Sequence, residues 1–475
     1  MENVTTTGQT IPQIKETAAA LAGRLTSNQQ LKKSMLINLL TKMLPIAVGI
    51  LTTPMLMKGL GNERFGVIQI YWTIVGFSTV FDFGLGRALT QLVAKSIAKH
   101  EHETLGSTVW TIITLMVVLS VIFMLSLLLG TETIVHYINV SPQYFDEACR
   151  AFRWLVMSLP LLIVFIALTG ILEAFQRFWD TNLQRYPILF FNFIAPVLLL
   201  NWYPHLDWMM MMVVVGRVIA LGMAFNSVSK CFPQFWQKMV WDTTYLKGLF
   251  QFGSWTTVSN LVRPFMLYQD RLFLANWLSP AITVFYTTPY DMLTKQSLLA
   301  ESVLNVLFPA FGTTFVQNPQ KAKGMYLKAI LMMAGGFGAL AILVALLAKP
   351  LLSAWLSPEF AEKSYLLTMI LAFVHGLACV GLVPLSMVQA SGRSDITAKV
   401  LMCQFPFYLA ALWYGVHQFG LIAAPCILLL RLIVDINLMH FQAMRLLNKA
   451  IITHSQPTPA GQKHERLTWH KGLHP

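Results

Sequence analysis

Apolar runs of 18 or more residues recur along the chain from Met35 to His440. Each is long enough to cross a hydrocarbon layer of roughly 30 Å as a helix. A lipid core leaves no water to satisfy exposed backbone groups, so a chain built this way folds as a helical bundle in a membrane. Composition agrees: 12% of the 475 residues are charged, against roughly 25% in soluble domains. Residues 1–34 are polar and lack the apolar core of a secretory signal.

Hydropathy places twelve spans, near 35–56, 66–94, 107–129, 151–172, 185–202, 208–228, 247–269, 282–311, 326–348, 364–390, 396–416 and 418–442. The second and eighth exceed a simple crossing and are expected to tilt or bend. Proline falls inside several spans, at Pro45, Pro54, Pro160, Pro196, Pro264, Pro289 and Pro384. Each removes a helix hydrogen bond and favours a kink.

The net charge of +13 is read through its placement. With the N-terminus inside, inner segments collect 21 Lys and Arg, outer segments 7, Arg271 among the latter, and spans 6. That bias puts both termini in the cytoplasm and makes a nucleic-acid partner unnecessary. The five cysteines are scattered, without metal-ligand spacing, so no metal or cofactor is expected.

The spans divide six and six about a basic segment. The expected domains are a cytoplasmic extension 1–34, a six-helix lobe 35–228, a linker 229–246, a second lobe 247–442 and a tail 443–475. Residues after Leu447 read as disordered. The halves echo each other: Leu36–Leu60 then Gly61–Phe65 resembles Leu246–Leu278 then Ser279–Thr283. Parallel six-span repeats are a transporter plan, with the site between the halves.

Ionisable residues within a bilayer cost on the order of 2.5–3.5 kcal/mol on insertion scales and mark function by default. The basic ones are Lys42, Arg87, Arg217, Arg263, Lys295 and Arg431; the acidic ones are Asp82, Asp291, Glu301 and Asp435. Asp291 with Lys295, and Arg431 with Asp435, share a helix face at i,i+4, so each pair can be neutralised internally or can line a pathway. Arg217 and Arg263 have no acid within four residues. A guanidinium stays charged and its fork fits phosphate oxygens, which points to an anion-attracting cavity; bonding to helix carbonyls or a neighbouring acid is the competing reading. Asp82, Gly84 and Gly86 stand in Phe81-Asp82-Phe83-Gly84-Leu85-Gly86-Arg87, where paired glycines let a helix loosen. His375 is expected to be a packed histidine.

The run Leu60-Gly61-Asn62-Glu63-Arg64-Phe65-Gly66-Val67, then Trp72, then Phe81 to Thr90, resembles the start of the bacterial polysaccharide flippases. That family belongs to the multidrug/oligosaccharidyl-lipid/polysaccharide exporter superfamily. The resemblance implies an all-α polytopic protein of about twelve helices, in two six-helix lobes forming a V-shaped exporter in the bacterial inner membrane. It implies a non-enzymatic flippase moving polyprenyl-diphosphate-linked oligosaccharide outward by alternating access, for cell-surface polysaccharide. Arg217, Arg263, Lys295 and Arg431, with Lys42 and Arg87, would then line the cavity. Asp82, Gly84, Gly86, Asp291 and Glu301 would serve coupling or hinge motion. Membrane lipid, a proton or sodium ion and polysaccharide-assembly proteins are the candidate partners. The alternatives are a multidrug and toxic-compound extrusion antiporter, whose cationic cargo six basic residues should repel, and a membrane polysaccharide polymerase or ligase. The longest outer loop, near Gly130–Arg150, is short for such an enzyme.

Overall fold

The computed structural model describes residues 28–78, 85–99, 105–232, 235 and 268–455, with side chains except at 28–42, 78, 87, 88, 95, 98, 99 and 455. Every regular element among them is a helix. Among the described residues, eight helical stretches are long and apolar enough to cross a bilayer, and two of them reach into two expected spans each: Met43–Phe77 and Ser394–His454. The protein is therefore an all-α, multi-pass membrane protein. Eleven of the twelve expected spans carry helix; the seventh, 247–269, lies outside the described residues but for its last two positions.

The helices begin and end where the sequence punctuates them. Proline opens Pro142–Met157, Pro280–Thr294, Pro319–Trp355 and Pro358–Ala390, at a position where its missing N–H costs nothing. Asn318 caps one by accepting from Lys321 N at 2.9 Å, and Ser357 another by accepting from Phe360 N at 3.1 Å. The long Asn28–Ser78 helix is two helices joined at Gly61, where φ is 77° and ψ 170°. Ser279 breaks the chain in a similar conformation, φ 110° and ψ 157°.

Among the described residues, one compact unit holds 28–61, 85–99, 105–136, 141–232 and 235, and another holds 62–78, 137–140 and 268–455. The first is packed about Leu89, Ile112, Met116, Leu168, Ile171 and Ala224. The expected outer loop near Gly130–Arg150 is largely helical here, as Thr131–Tyr137 and the start of Pro142–Met157. The latter buries Ala148, Ala151, Phe152 and Leu155 on one face, and that amphipathic stripe is what draws it into helix.

The second unit is packed about Leu304, Phe311, Tyr326, Met333, Val383 and Met387. Pro319–Trp355 meets Pro358–Ala390 through Ala341, Ala345 and Ala372, with Gly376 against Ala341 and the Phe337 carbonyl. Lipid is as apolar as the helices it surrounds, so such contacts rely on small residues that let backbones approach. Residues 62–78 join this unit by the same means. A Cβ on Gly66 would collide with the Pro280 carbonyl, and one on Gly76 would lie 2.9 Å from the Tyr268 ring.

The final helix, Ala423–Ser455, departs from expectation. Residues 448–455 were expected to be disordered and are helical; the rest of the tail, 456–475, lies outside the described residues, as does the extension 1–27. Side-chain bonds hold the added turns, Lys323 Nζ to Asn448 Oδ1 at 3.1 Å and His454 Nε2 with Val316 O at 3.0 Å, and Tyr326 Oη meets His440 Nδ1 at 2.8 Å two turns earlier.

Candidate functional site

Within the second unit, five helices converge on a cavity of about 390 Å³, Ser297–Gln317 contributing Glu301. Arg271 comes from a helix over 268–278, Tyr290 and Asp291 from Pro280–Thr294, His375 from Pro358–Ala390 and Arg431 from Ala423–Ser455. Lys295 and Glu301 complete the charged lining. Three cations therefore face two carboxylates, in a volume within the range of small-ligand sites.

Local backbone chemistry delivers Lys295 there. The expected eighth span is interrupted: Pro280–Thr294 and Ser297–Gln317 are separated at Lys295–Gln296. Lys295 N bonds to Met292 O and Gln296 N to Leu293 O, both at 3.3 Å. These bonds reach three residues back, so the helix tightens for one turn before it resumes. Lys295 is exposed at that joint and makes no ion pair among the described residues.

Asp291 does not take Lys295 as its ion-pair partner, although the spacing allows it. Its Oδ1 lies 2.5 Å from Arg271 Nη2. Arg271 was counted with the outer segments and is instead buried, its side chain 4% exposed. The polar run Gln269-Asp270-Arg271 ends the hydropathic span early, yet the helix continues through Leu272–Leu278, apolar but for Asn276. Arg271 thus sits about 12 Å before the Ser279 turn, at 1.5 Å per residue. Its guanidinium lies 4.7 Å from the Tyr290 ring centroid and 5.9 Å from that of Tyr268, both within cation–π reach.

The neighbouring carboxylate is spoken for. Asp270, 3% exposed, accepts from Tyr286 Oη at 2.5 Å and from Arg271 N at 2.9 Å. His375 is packed as expected, buried with its ring edge-on to Tyr290 at 4.6 Å. Arg431 lies 5.0 Å from the Tyr408 ring centroid, while Asp435 accepts from Gln404 Nε2 at 3.2 Å.

The cavity thus brings together Lys295, Arg431, Asp291 and Glu301, and adds Arg271, which sequence reasoning missed. Arg217 belongs to the first unit. It is 3% exposed, and its Nη1 donates to the hydroxyl of buried Ser158, a partner that is neither a helix carbonyl nor an acid. Gly86 is buried, its carbonyl accepting from Thr90 Oγ1 at 3.0 Å. Asp82, Gly84 and Arg263 lie outside the described residues, and the side chains of Lys42 and Arg87 do too.

Known proteins place this architecture. A solved inward-facing multidrug resistance MATE family transporter of the MOP superfamily matches with a TM-score of 0.74 at 14% identity, covering 86% of this chain and 96% of that one. A MOP superfamily transporter from Pyrococcus furiosus, reported to have a binding pocket of reversed polarity, matches at 0.62 and 15% identity, over 88% and 96%. Identities this low establish the fold alone. In sequence, the chain is 26% identical to a Shigella flexneri protein named "Putative O-antigen transporter" over 420 residues, 86% of this chain and 96% of that protein. Membrane protein EpsK of Bacillus subtilis (strain 168) is 23% identical over 349 residues, 71% and 66% of the two chains. The family described as polysaccharide biosynthesis protein matches residues 31–315. That match spans more than half of the sequence, and the chain belongs to this family.

Proposed function

We propose that the protein is a flippase for polyprenyl-diphosphate-linked oligosaccharide, moving it from the inner to the outer leaflet of the bacterial cell membrane. The observation that carries this reading is the cavity in which Arg271, Lys295 and Arg431 converge, in a chain of the polysaccharide biosynthesis family. A diphosphate is the part of such a substrate most costly to bring into a membrane, and clustered cations offset that cost. The likeness to an O-antigen transporter across nearly its whole length supports the same substrate class. An exporter of organic cations would bring its cargo to a site that repels it.

In this reading the protein works by alternating access between two six-helix lobes, 35–228 and 247–442, with both termini in the cytoplasm. Arg263, Lys42 and Arg87 are further candidate contacts for the diphosphate, Arg217 being enclosed against Ser158, while Asp82, Gly84, Gly86, Asp291 and Glu301 serve hinge motion or coupling to a proton or sodium ion. Reporter fusions after Ser229, Gln317 and Leu447 test the orientation and should report cytoplasm.

The deciding experiment is complementation of a strain lacking its own O-antigen flippase. The chain should restore surface polysaccharide and deplete lipid-linked oligosaccharide from the inner leaflet. Failure to restore polysaccharide, together with raised resistance to cationic dyes, would return the extrusion reading to first place.

A further inference from the structure

Arg271 and Asp291 form an ion pair of unequal members. The guanidinium is sequestered at 4% exposure, while the carboxylate is open at 40%. Arg271 is also held from behind, by the Tyr290 ring and, farther off, by Tyr268. Those contacts persist without the carboxylate, so the cation is fixed and its partner is free to leave. Asp270 cannot replace Asp291 at little cost, because both its oxygens are engaged, by Tyr286 and by the Arg271 backbone N–H. Arg271 Nε, moreover, is buried and has no acceptor among the described residues. A ligand with more than one anionic oxygen could therefore satisfy this guanidinium more fully than a single carboxylate oxygen does.

We infer that Asp291 is a displaceable internal stand-in for the substrate's diphosphate: the empty site holds Arg271 with Asp291, and the diphosphate of a lipid-linked ligand takes its place. The inference rests on the flippase reading and adds a specific role to it. Exposed Lys295 stands one turn beyond Asp291 on the same cavity wall, placed to receive the carboxylate when it swings away, or a second phosphate oxygen. Return of Asp291 to Arg271 then competes with bound diphosphate and promotes its release. A resident competitor lowers apparent affinity by the fraction of sites it occupies, which keeps a strongly charged site from trapping its cargo.

The test is calorimetric titration of the full-length purified chain with inorganic diphosphate and with farnesyl diphosphate. Asp291→Asn, which keeps the shape and removes the charge, should bind both ligands tighter than the unaltered chain by about ten-fold or more. It should at the same time slow surface polysaccharide delivery, because release loses its competitor. Arg271→Gln should lose the binding, and Arg271→Lys, which keeps charge without the planar fork, should retain part of it. Farnesyl diphosphate should bind tighter than inorganic diphosphate. Equal affinity of Asp291→Asn and the unaltered chain, absence of diphosphate binding in both, or full binding by folded Arg271→Lys and Arg271→Gln would overturn the inference. Equal affinity for the two ligands would overturn its lipid-borne part. Complementation is read separately: a chain that restores polysaccharide but shows no affinity change keeps the function and loses the stand-in. A chain with the affinity change but no restoration keeps the ion-pair exchange and loses the flippase reading.

Discussion

Gln69 and Thr288 are 219 residues apart in sequence, and the Gln69 amide donates to the Thr288 hydroxyl at 3.0 Å. The amide oxygen accepts from the hydroxyl of the adjacent Thr287. All three side chains are buried, so this short polar chain ties residues 62–78 to the Pro280–Thr294 helix within their unit. Gln69→Leu should remove both of these bonds, leaving Thr287 only the Thr283 carbonyl at 3.2 Å and Thr288 without its amide donor, and lower the melting temperature of the purified protein. An unsatisfied buried group costs about 1–3 kcal/mol. The triple variant Gln69→Leu, Thr287→Val, Thr288→Val should recover most of that loss, because removing every partner leaves nothing unpaired.

Ser279 holds a conformation that glycine adopts with little penalty and other residues do not. With φ at 110° and ψ at 157°, it sits in a region whose cost for non-glycine residues is of order 1–3 kcal/mol. Ser279→Gly should raise thermal stability, the gain being trimmed by glycine's greater unfolded-state entropy of roughly 0.5–1 kcal/mol. Ser279→Val should lower membrane abundance. A melting series on the glycine variant is the check.

In the first unit, Ser158→Ala would leave the Arg217 Nη1 without the acceptor it now uses. Abundance should fall, by an amount consistent with about 1.5–3 kcal/mol for a hydrogen bond to a charged group. Adding Arg217→Met should restore it, since the desolvated charge leaves with its unmet donor. Immunoblots of membrane fractions read both variants.

Lys295 and Arg271 should respond differently to loss of charge. Lys295 is exposed and unpaired among the described residues, so Lys295→Gln should insert at normal abundance while reducing polysaccharide delivery. Arg271→Gln leaves Asp291 without its cation. Breaking a buried pair typically costs about 3–5 kcal/mol, and the 40% exposure of Asp291 places this case toward or below the lower end. Abundance and surface polysaccharide, measured together, separate the two.

How much of this could be read from the sequence depends on what hydropathy measures. It reports depth along a span, so it located the helices and set Asp291, Lys295, Glu301 and Arg431 within the bilayer. It does not report direction around a helix. The i,i+4 spacing therefore offered Lys295 to Asp291, while the fold supplies Arg271 from another helix. Arg271 was misplaced for a related reason: three polar residues in succession lower the local hydropathy, although the helix carries them buried. The echo between Gly61 and Ser279 contained the better boundary, because it extended the seventh span to Leu278. Arg217 shows the opposite limit. Its lack of a nearby acid was legible, but the Ser158 hydroxyl that meets it lies 59 residues away.

The close seating of Gly66 on the Pro280 carbonyl makes these two positions a genetic unit. Any side chain at position 66 must push the two helices apart, so Gly66→Ala acts as a wedge. Second-site suppressors of that allele should accordingly cluster at and around Pro280, where a local shift in backbone reopens the space. The second glycine of the Leu60–Val67 run is thus half of a record whose other half is written more than two hundred residues downstream.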